Sequence, residues 1–280
     1  MKKIIFIAFF SFLPTVYANS LCESFVETSV SAISFAEAYK KVSVFSPKGE
    51  FETTEEYKSR TEDIKIPSQL IISRKADIES FDGKDFIFYN ADEGLLKISE
   101  FAFHNMNIGA HLISKYNTPE LDFDYNSIFY HSVPFGEMLK STEYYPANNS
   151  YGAKTKVQRD LMDAELLIDP RKAGLSVPIF KSLYPYSLTL KENNNVIGEL
   201  KLTPKEAKSV KETSYLAFVV EPVKPYNFQK EYTFPEAKIS SPYEKNYTTS
   251  ILVANLKCGL WLDRNNKVIG SYPINFEKSR

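Results

Sequence analysis

The sequence predicts an α+β protein built mainly on antiparallel β-sheet, and three observations carry that prediction. Leu252, Ala254, Leu256, Cys258, Leu260 and Leu262 alternate with Val253, Asn255, Lys257, Gly259 and Trp261, the period-two pattern of a strand. Helical spacing is confined to the N-terminal part of the chain and to a short stretch at 203–211. The composition, 43% apolar and 25% charged, is that of a chain able to bury a core rather than a disordered one.

The first element is an address. Lys2 and Lys3 precede an apolar run from Ile4 to Leu13, Pro14 ends the run, and Val16-Tyr17-Ala18 fits a signal-peptidase site. The run is too short to cross a bilayer as a permanent helix. The expected organisation is a signal peptide at 1–18 and a single exported α+β domain at 19–280, with no transmembrane segment in the mature chain. A subdivision near Gly174 is the alternative. The expected location is the periplasm or the medium outside the cell. Ser20-Leu21 before Cys22 is a poor lipoprotein site, because no small residue directly precedes the cysteine.

Residues 22–65 read as helical. Ser34 and Glu37 form a capping box, followed by Phe35, Ala38, Tyr39 and Val42 at helical spacing. Ser46-Pro47-Lys48-Gly49 stops that helix. Thr53 and Glu56 cap a second one running to about Ile64, whose thin stripe of Tyr57, Thr61 and Ile64 fits a surface position. From about Leu70 the period changes. Asp85 to Tyr89 and Leu95 to Phe103 read as strands about a turn at Asn90-Ala91-Asp92-Glu93-Gly94. Asn105 to Tyr151 reads as short strands and loops, and 152–168 as one long strand or a strand pair. Asp169-Pro170 and Gly174 mark a connection.

Tyr186 to Lys191 and Val196 to Leu202 flank Asn193-Asn194-Asn195 and predict a hairpin. Thr203-Pro204-Lys205-Glu206 combines an N-cap, a first-turn proline and a capping glutamate, and starts a helix to about Lys211. Tyr215 to Val220 is an apolar strand. Pro222, Pro225, Pro235 and Pro242 predict an ordered surface loop over 222–246. The alternating strand then ends in a turn at Asp263 to Asn266 and returns over Lys267 to Tyr272, with Cys258 on its buried face.

The two cysteines, Cys22 and Cys258, admit one pairing. An oxidising compartment favours a structural disulfide between them. Two unpaired buried cysteines, or a thiol nucleophile lacking a visible base, are the other readings.

The segment Pro47-Lys48-Gly49-Glu50-Phe51-Glu52-Thr53-Thr54-Glu55-Glu56-Tyr57, with Arg60, resembles a signature of a family of exported bacterial proteins that has no assigned activity. Those proteins also carry a "NAFG"-like segment and an "SPEEA"-like helix start. The counterparts are Asn149-Ser150-Tyr151-Gly152-Ala153 and Thr203-Pro204-Lys205-Glu206-Ala207. The resemblance implies export, and it implies no catalytic residue. The residues themselves read as a well-specified helix start, with Phe51 as a staple.

Function is narrowed mostly by exclusion. The formal charge of −1 falls to −3 once the two signal lysines are removed, so no nucleic-acid partner is expected. The lysine, asparagine, isoleucine and aromatic load fits an AT-rich coding sequence, and with the signal peptide it points to a bacterium. Among His104, His111 and His131, the first two are seven residues apart, and no H-E-x-x-H occurs. Asp122 and Asp124 with His131 offer oxygen and imidazole donors, but the surrounding sequence reads as loop, so no metal and no other cofactor is expected. No G-x-S-x-G, P-loop or G-x-G-x-x-G is present, and no catalytic residue is assigned. The aromatic load is unusual, with 18 tyrosines and 21 phenylalanines. A recognition surface is therefore sought at Glu52, Glu55 and Arg60, and at Tyr125, Tyr130, Tyr144 and Tyr145. The expected role is a non-enzymatic binding or structural protein with an envelope protein or polymer as partner. A hydrolase acting on such a polymer, with its cleft within 104–165, and a secreted effector are the alternatives.

Overall fold

The computed structural model describes residues 21–43, 48–62, 65–74, 87–103, 130–172 and 196–274. They form an α+β fold dominated by two sheets. In chain order the elements are α1 (Phe35–Val42), α2 (Thr54–Glu62), β1 (Leu70–Arg74), β2 (Ile87–Asn90), β3 (Leu95–Ser99), a 3-10 turn (Glu100–Phe103), β4 (Tyr130–Asn148), β5 (Lys154–Lys172), β6 (Val196–Lys201), α3 (Pro204–Thr213), β7 (Tyr215–Thr233), β8 (Tyr243–Leu262) and β9 (Val268–Pro273). The main sheet runs β1-β7-β8-β5-β4, with β9 also on β8; the small one runs β2-β3-β6. Neighbours are antiparallel except β5 and β8, which pair in parallel from Gln158↔Tyr243 to Ile168↔Val253.

The capping boxes form as the sequence requires. Ser34 Oγ accepts the Glu37 N–H at 3.2 Å and Glu37 accepts the Ser34 N–H at 2.9 Å. Thr53 with Glu56, and Thr203 with Glu206, repeat the exchange. The expected helical stretch at 22–65 is nevertheless interrupted. Between residue 23 and Ser34 the chain is a strap: Val30 N–H bonds Asn266 O at one edge of the sheet, and Ile33 N–H bonds Ile71 O at the other. Cys22 is disulfide-bonded to Cys258, with Cα atoms 5.7 Å apart.

Three more expectations are corrected. Residues 222–246 are not one loop: β7 continues through Pro222 and Pro225 to Thr233 and β8 begins at Tyr243, so only 234–242, with Pro235 and Pro242, is a connection. Pro222 and Pro225 are absorbed by an irregularity at which the pairing jumps from Pro222↔Ala254 to Asn227↔Leu252. The described part of 105–151 is one long strand, β4, followed by a turn at 149–151; β4 is paired along its length with β5, which itself runs through Asp169-Pro170. The strand expected over 95–103 ends at Ser99 and tightens into the 3-10 turn. Val196 to Lys201 is a strand, but within the described residues it pairs with β3, and the hairpin partner at 186–191 lies outside them.

The apolar alternation of β8 does not lie on one face. Val219 pairs with Cys258 and Val220 with Leu256, so Lys257 is an extra residue in a bulge. Leu252, Ala254 and Leu256 therefore face one side, here called face A, and Cys258, Leu260 and Leu262 face the other, face B. Trp261 joins face A through the same switch. Face A is covered by α1 through Phe35, Ala38 and Val42, and by the small sheet through Ile87, Leu96 and Ile98. Phe103 lies over Gly259, where any side chain would strike its ring, and meets Phe218 edge-on at 5.6 Å. On face B the strap buries Cys258, Leu260 and Leu262. Ile168, Ile251 and Val253 form a second cluster on that face. Where β5 leaves β8, the buried Asp169 carboxylate accepts the Leu256 N–H at 2.7 Å, which satisfies a backbone donor at the fork.

Candidate functional site

Alternation places an open groove on face A beyond α1. α1 is tied down through Asn227 and Tyr39: Asn227 Nδ2 donates to Val42 O at 2.8 Å, and Tyr39 Oη donates to Phe228 O at 3.3 Å. Past that point no described element covers this face of the distal halves of four long strands. Residues directly paired across a ladder share a face. Tyr145 pairs with Val157, Arg159 with Glu244, and Thr233 with Asn246. These residues floor a groove of about 960 Å³, and Ala237, Lys238 and Ile239 form its side wall.

The floor is polar and internally neutralised. Arg159 Nε donates to Glu244 Oε1 at 2.6 Å, and the guanidinium lies 4.4 Å from the Tyr145 ring centre. Hydrogen bonding to Glu244 raises Arg159 further above its ordinary value. Lys140 Nζ sits 3.3 Å from Asp163. Thr233 Oγ1 donates to Asn246 Oδ1 at 2.8 Å, and Thr155, Thr248 and Asn148 add hydroxyls and an amide to the lining. The arrangement offers hydrogen bonds and the Tyr145 ring to an extended, uncharged polar chain.

The reverse side of the same strands carries Tyr144, whose ring lies 4.7 Å from Lys156 Nζ. There Asp160 is held below its ordinary value first by Thr142 and then by Tyr243 and Gln158. Tyr232 and Tyr247 stack at 4.7 Å. Burial first, and then the Glu137 carboxylate, push Tyr247 up to about 12.

The structure separates the candidate recognition residues. Tyr145 lies in the groove, and Tyr144, its neighbour, faces the opposite side. Tyr130 opens β4 across from Lys172, and Tyr125 lies outside the described residues. Glu52 and Arg60 pair with each other in a fork at 2.7 and 2.9 Å beside α2, and Arg60 also lies 5.1 Å from the Tyr57 ring. Glu55 is exposed in the first turn of α2. His104, His111, Asp122 and Asp124 lie outside the described residues, and His131 is on β4. Among the described residues no group of three His, Cys, Asp or Glu side chains is placed to hold a metal ion. No described helix is long and apolar enough to cross a membrane.

Sequence reasoning missed Arg159, Glu244, Thr233 and Asn246. The last three fall in the stretch read as a loop from its prolines, and the alternation around Arg159 has no meaning until its partner strands are known. No family model matches the chain, and no curated protein or solved structure matches it either.

Proposed function

We propose that this is an exported, non-enzymatic binding protein of the bacterial cell envelope, and that its distal groove holds a neutral glycan strand. The groove's character carries this reading. It is open and strand-floored, its two main cations are already paired to Glu244 and Asp163, and hydroxyls and amides surround Tyr145. A charged polymer would gain little where the charges are internally matched, whereas a sugar chain uses hydroxyls, amides and an aromatic ring. Support for export comes from the Lys2-Lys3 start and the Ile4 to Leu13 run, together with a disulfide that an oxidising compartment maintains. On this reading the chain belongs with the exported bacterial proteins that its 48–57 segment resembles.

Co-sedimentation with purified cell-wall glycan, followed by calorimetric titration with soluble oligosaccharides, tests the proposal. Saturable binding is expected, weakened tenfold or more by Tyr145→Ala and Thr233→Ala and unchanged by Glu55→Ala. Absence of binding, or binding indifferent to both groove substitutions, overturns it. Release of soluble fragments from the glycan would replace binding by hydrolysis.

A further inference from the structure

The outer edge of β4 pairs with nothing among the described residues, and it is not a neutral edge. Met138, Leu139 and Tyr144 are 62%, 52% and 58% exposed, three large apolar side chains within seven residues of one edge strand. A long apolar edge is a template for another strand unless something blocks it. The sequence Met138-Leu139-Lys140-Ser141-Thr142-Glu143-Tyr144-Tyr145 reads as its own complement in the antiparallel sense: two apolar residues and a cation on one side, an anion and two aromatics on the other.

We propose that β4 is a homodimerisation edge, with two copies pairing antiparallel about a two-fold axis through Thr142. Self-pairing of this kind must bring residues of the same face together. The register with β5 shows that it does. Met138 opposes Asp163 and Tyr145 opposes Val157, both on the groove face; Leu139 opposes Met162 and Tyr144 opposes Gln158, both on the reverse. The pairing skips Lys140, an extra residue in a bulge between Leu139 and Ser141. That bulge changes the parity so that Met138 meets the partner's Tyr145 while Leu139 meets the partner's Tyr144. Lys140 lines the groove face, where it meets Asp163 of its own chain at 3.3 Å, and it also falls beside the partner's Glu143, which opposes Arg159 on that same face. Moving the axis to Ser141 sets Met138 against the partner's Glu143, and moving it to Glu143 sets that carboxylate against its own copy. Of these three registers the one through Thr142 sets opposite charges side by side, the Ser141 one sets a carboxylate against an apolar side chain, and the Glu143 one sets like charges directly opposite, which destabilises a ladder. The axis stands perpendicular to the sheet, so both grooves open on the same side, and a polymer reaching both gains avidity. The dimer itself does not depend on the groove's ligand.

Sedimentation velocity of the mature chain without glycan, at protein concentrations up to about 100 µM, is the direct test. A reversible dimer is expected. Lys140→Glu and Glu143→Lys each weaken it at least tenfold, and the double exchange restores it, a rescue that mere misfolding would not give. Thr142→Cys is expected to cross-link the two copies under mild oxidation, because paired Cα atoms lie within disulfide reach, while Ser150→Cys at the hairpin turn does not. A monomer throughout this range leaves the edge to a strand of another chain and overturns the proposal. So does a dimer that ignores both charge reversals or fails to cross-link at Thr142. Glycan binding by a monomer would leave the groove reading standing while removing this one.

Discussion

Glu52 shows how one side chain can look like a binding determinant and be structurally committed instead. Its carboxylate takes the Arg60 fork and also accepts the Gly49 N–H at 3.0 Å, which ties the turn before α2 to the helix's last turn. The Arg60 hydrogen bonds, and then the Gly49 N–H, lower its pKa to about 2. A carboxylate lowered in the folded state supports the fold above its ordinary value of roughly 4.3 and loses that support as pH falls toward the folded value. The Glu52 link should therefore persist at pH 5 and fade between about pH 4 and 2. Side-chain NMR titration should place the Glu52 midpoint near 2, and Arg60→Gln should return it toward the ordinary range. A midpoint above pH 4 in the native chain would mean that the pair does not hold in solution. Legibility at this scale follows sequence distance. The capping pairs Ser34–Glu37, Thr53–Glu56 and Thr203–Glu206 were visible because their partners are three residues apart. Arg159 and Glu244 are 85 residues apart, and no local pattern announces such a pair.

At the scale of elements, the strands were legible where one face is apolar and illegible where both are wet. The apolar half of β8 and the start of β7 declare themselves; their distal halves, and nearly all of β4, carry polar and aromatic residues on both sides and are broken by proline and bulges. Pairing between neighbouring long strands, not an apolar stripe, keeps these segments extended, which is why their prolines were misread as loop. The same rule hid the bulge at Lys257, since a single inserted residue moves every later side chain to the other face without changing the sequence's alternation. Where the strand beside β8 changes from β5 to β9, the buried Asp169 carboxylate accepts the Leu256 N–H. Asp169→Ala removes a buried acceptor from that donor and should lower stability by about 1–3 kcal/mol, read as a fall in the urea midpoint. Asp169→Asn retains a carbonyl acceptor and should lose less. An unchanged midpoint for Asp169→Ala would show that the fork is held by something else.

For the whole molecule, the decisive connection is the one between the chain's two extremes. The strap crosses face B from β9 to β1, Cys22 pins it to Cys258, and α1 then folds onto face A past the β1 edge, so a single N-terminal segment touches both faces of the main sheet. A bridge spanning 236 residues removes much of the unfolded chain's freedom; loop-closure entropy sets an upper figure of roughly 5 kcal/mol. Replacing both cysteines by alanine should lower the unfolding free energy by several kcal/mol. Hydrogen exchange should change unevenly as well. The Val30 and Ile33 amides, which bond to the sheet edges, should lose protection first, while the β5–β8 ladder under the groove keeps its own, because parallel pairing there is independent of the strap. If the alanine pair unfolded at the same urea midpoint as the native chain, the strap's stability would have to come from the apolar cluster around Phe25, Ala217 and Leu260 alone, and the bridge would be a consequence of folding rather than one of its supports.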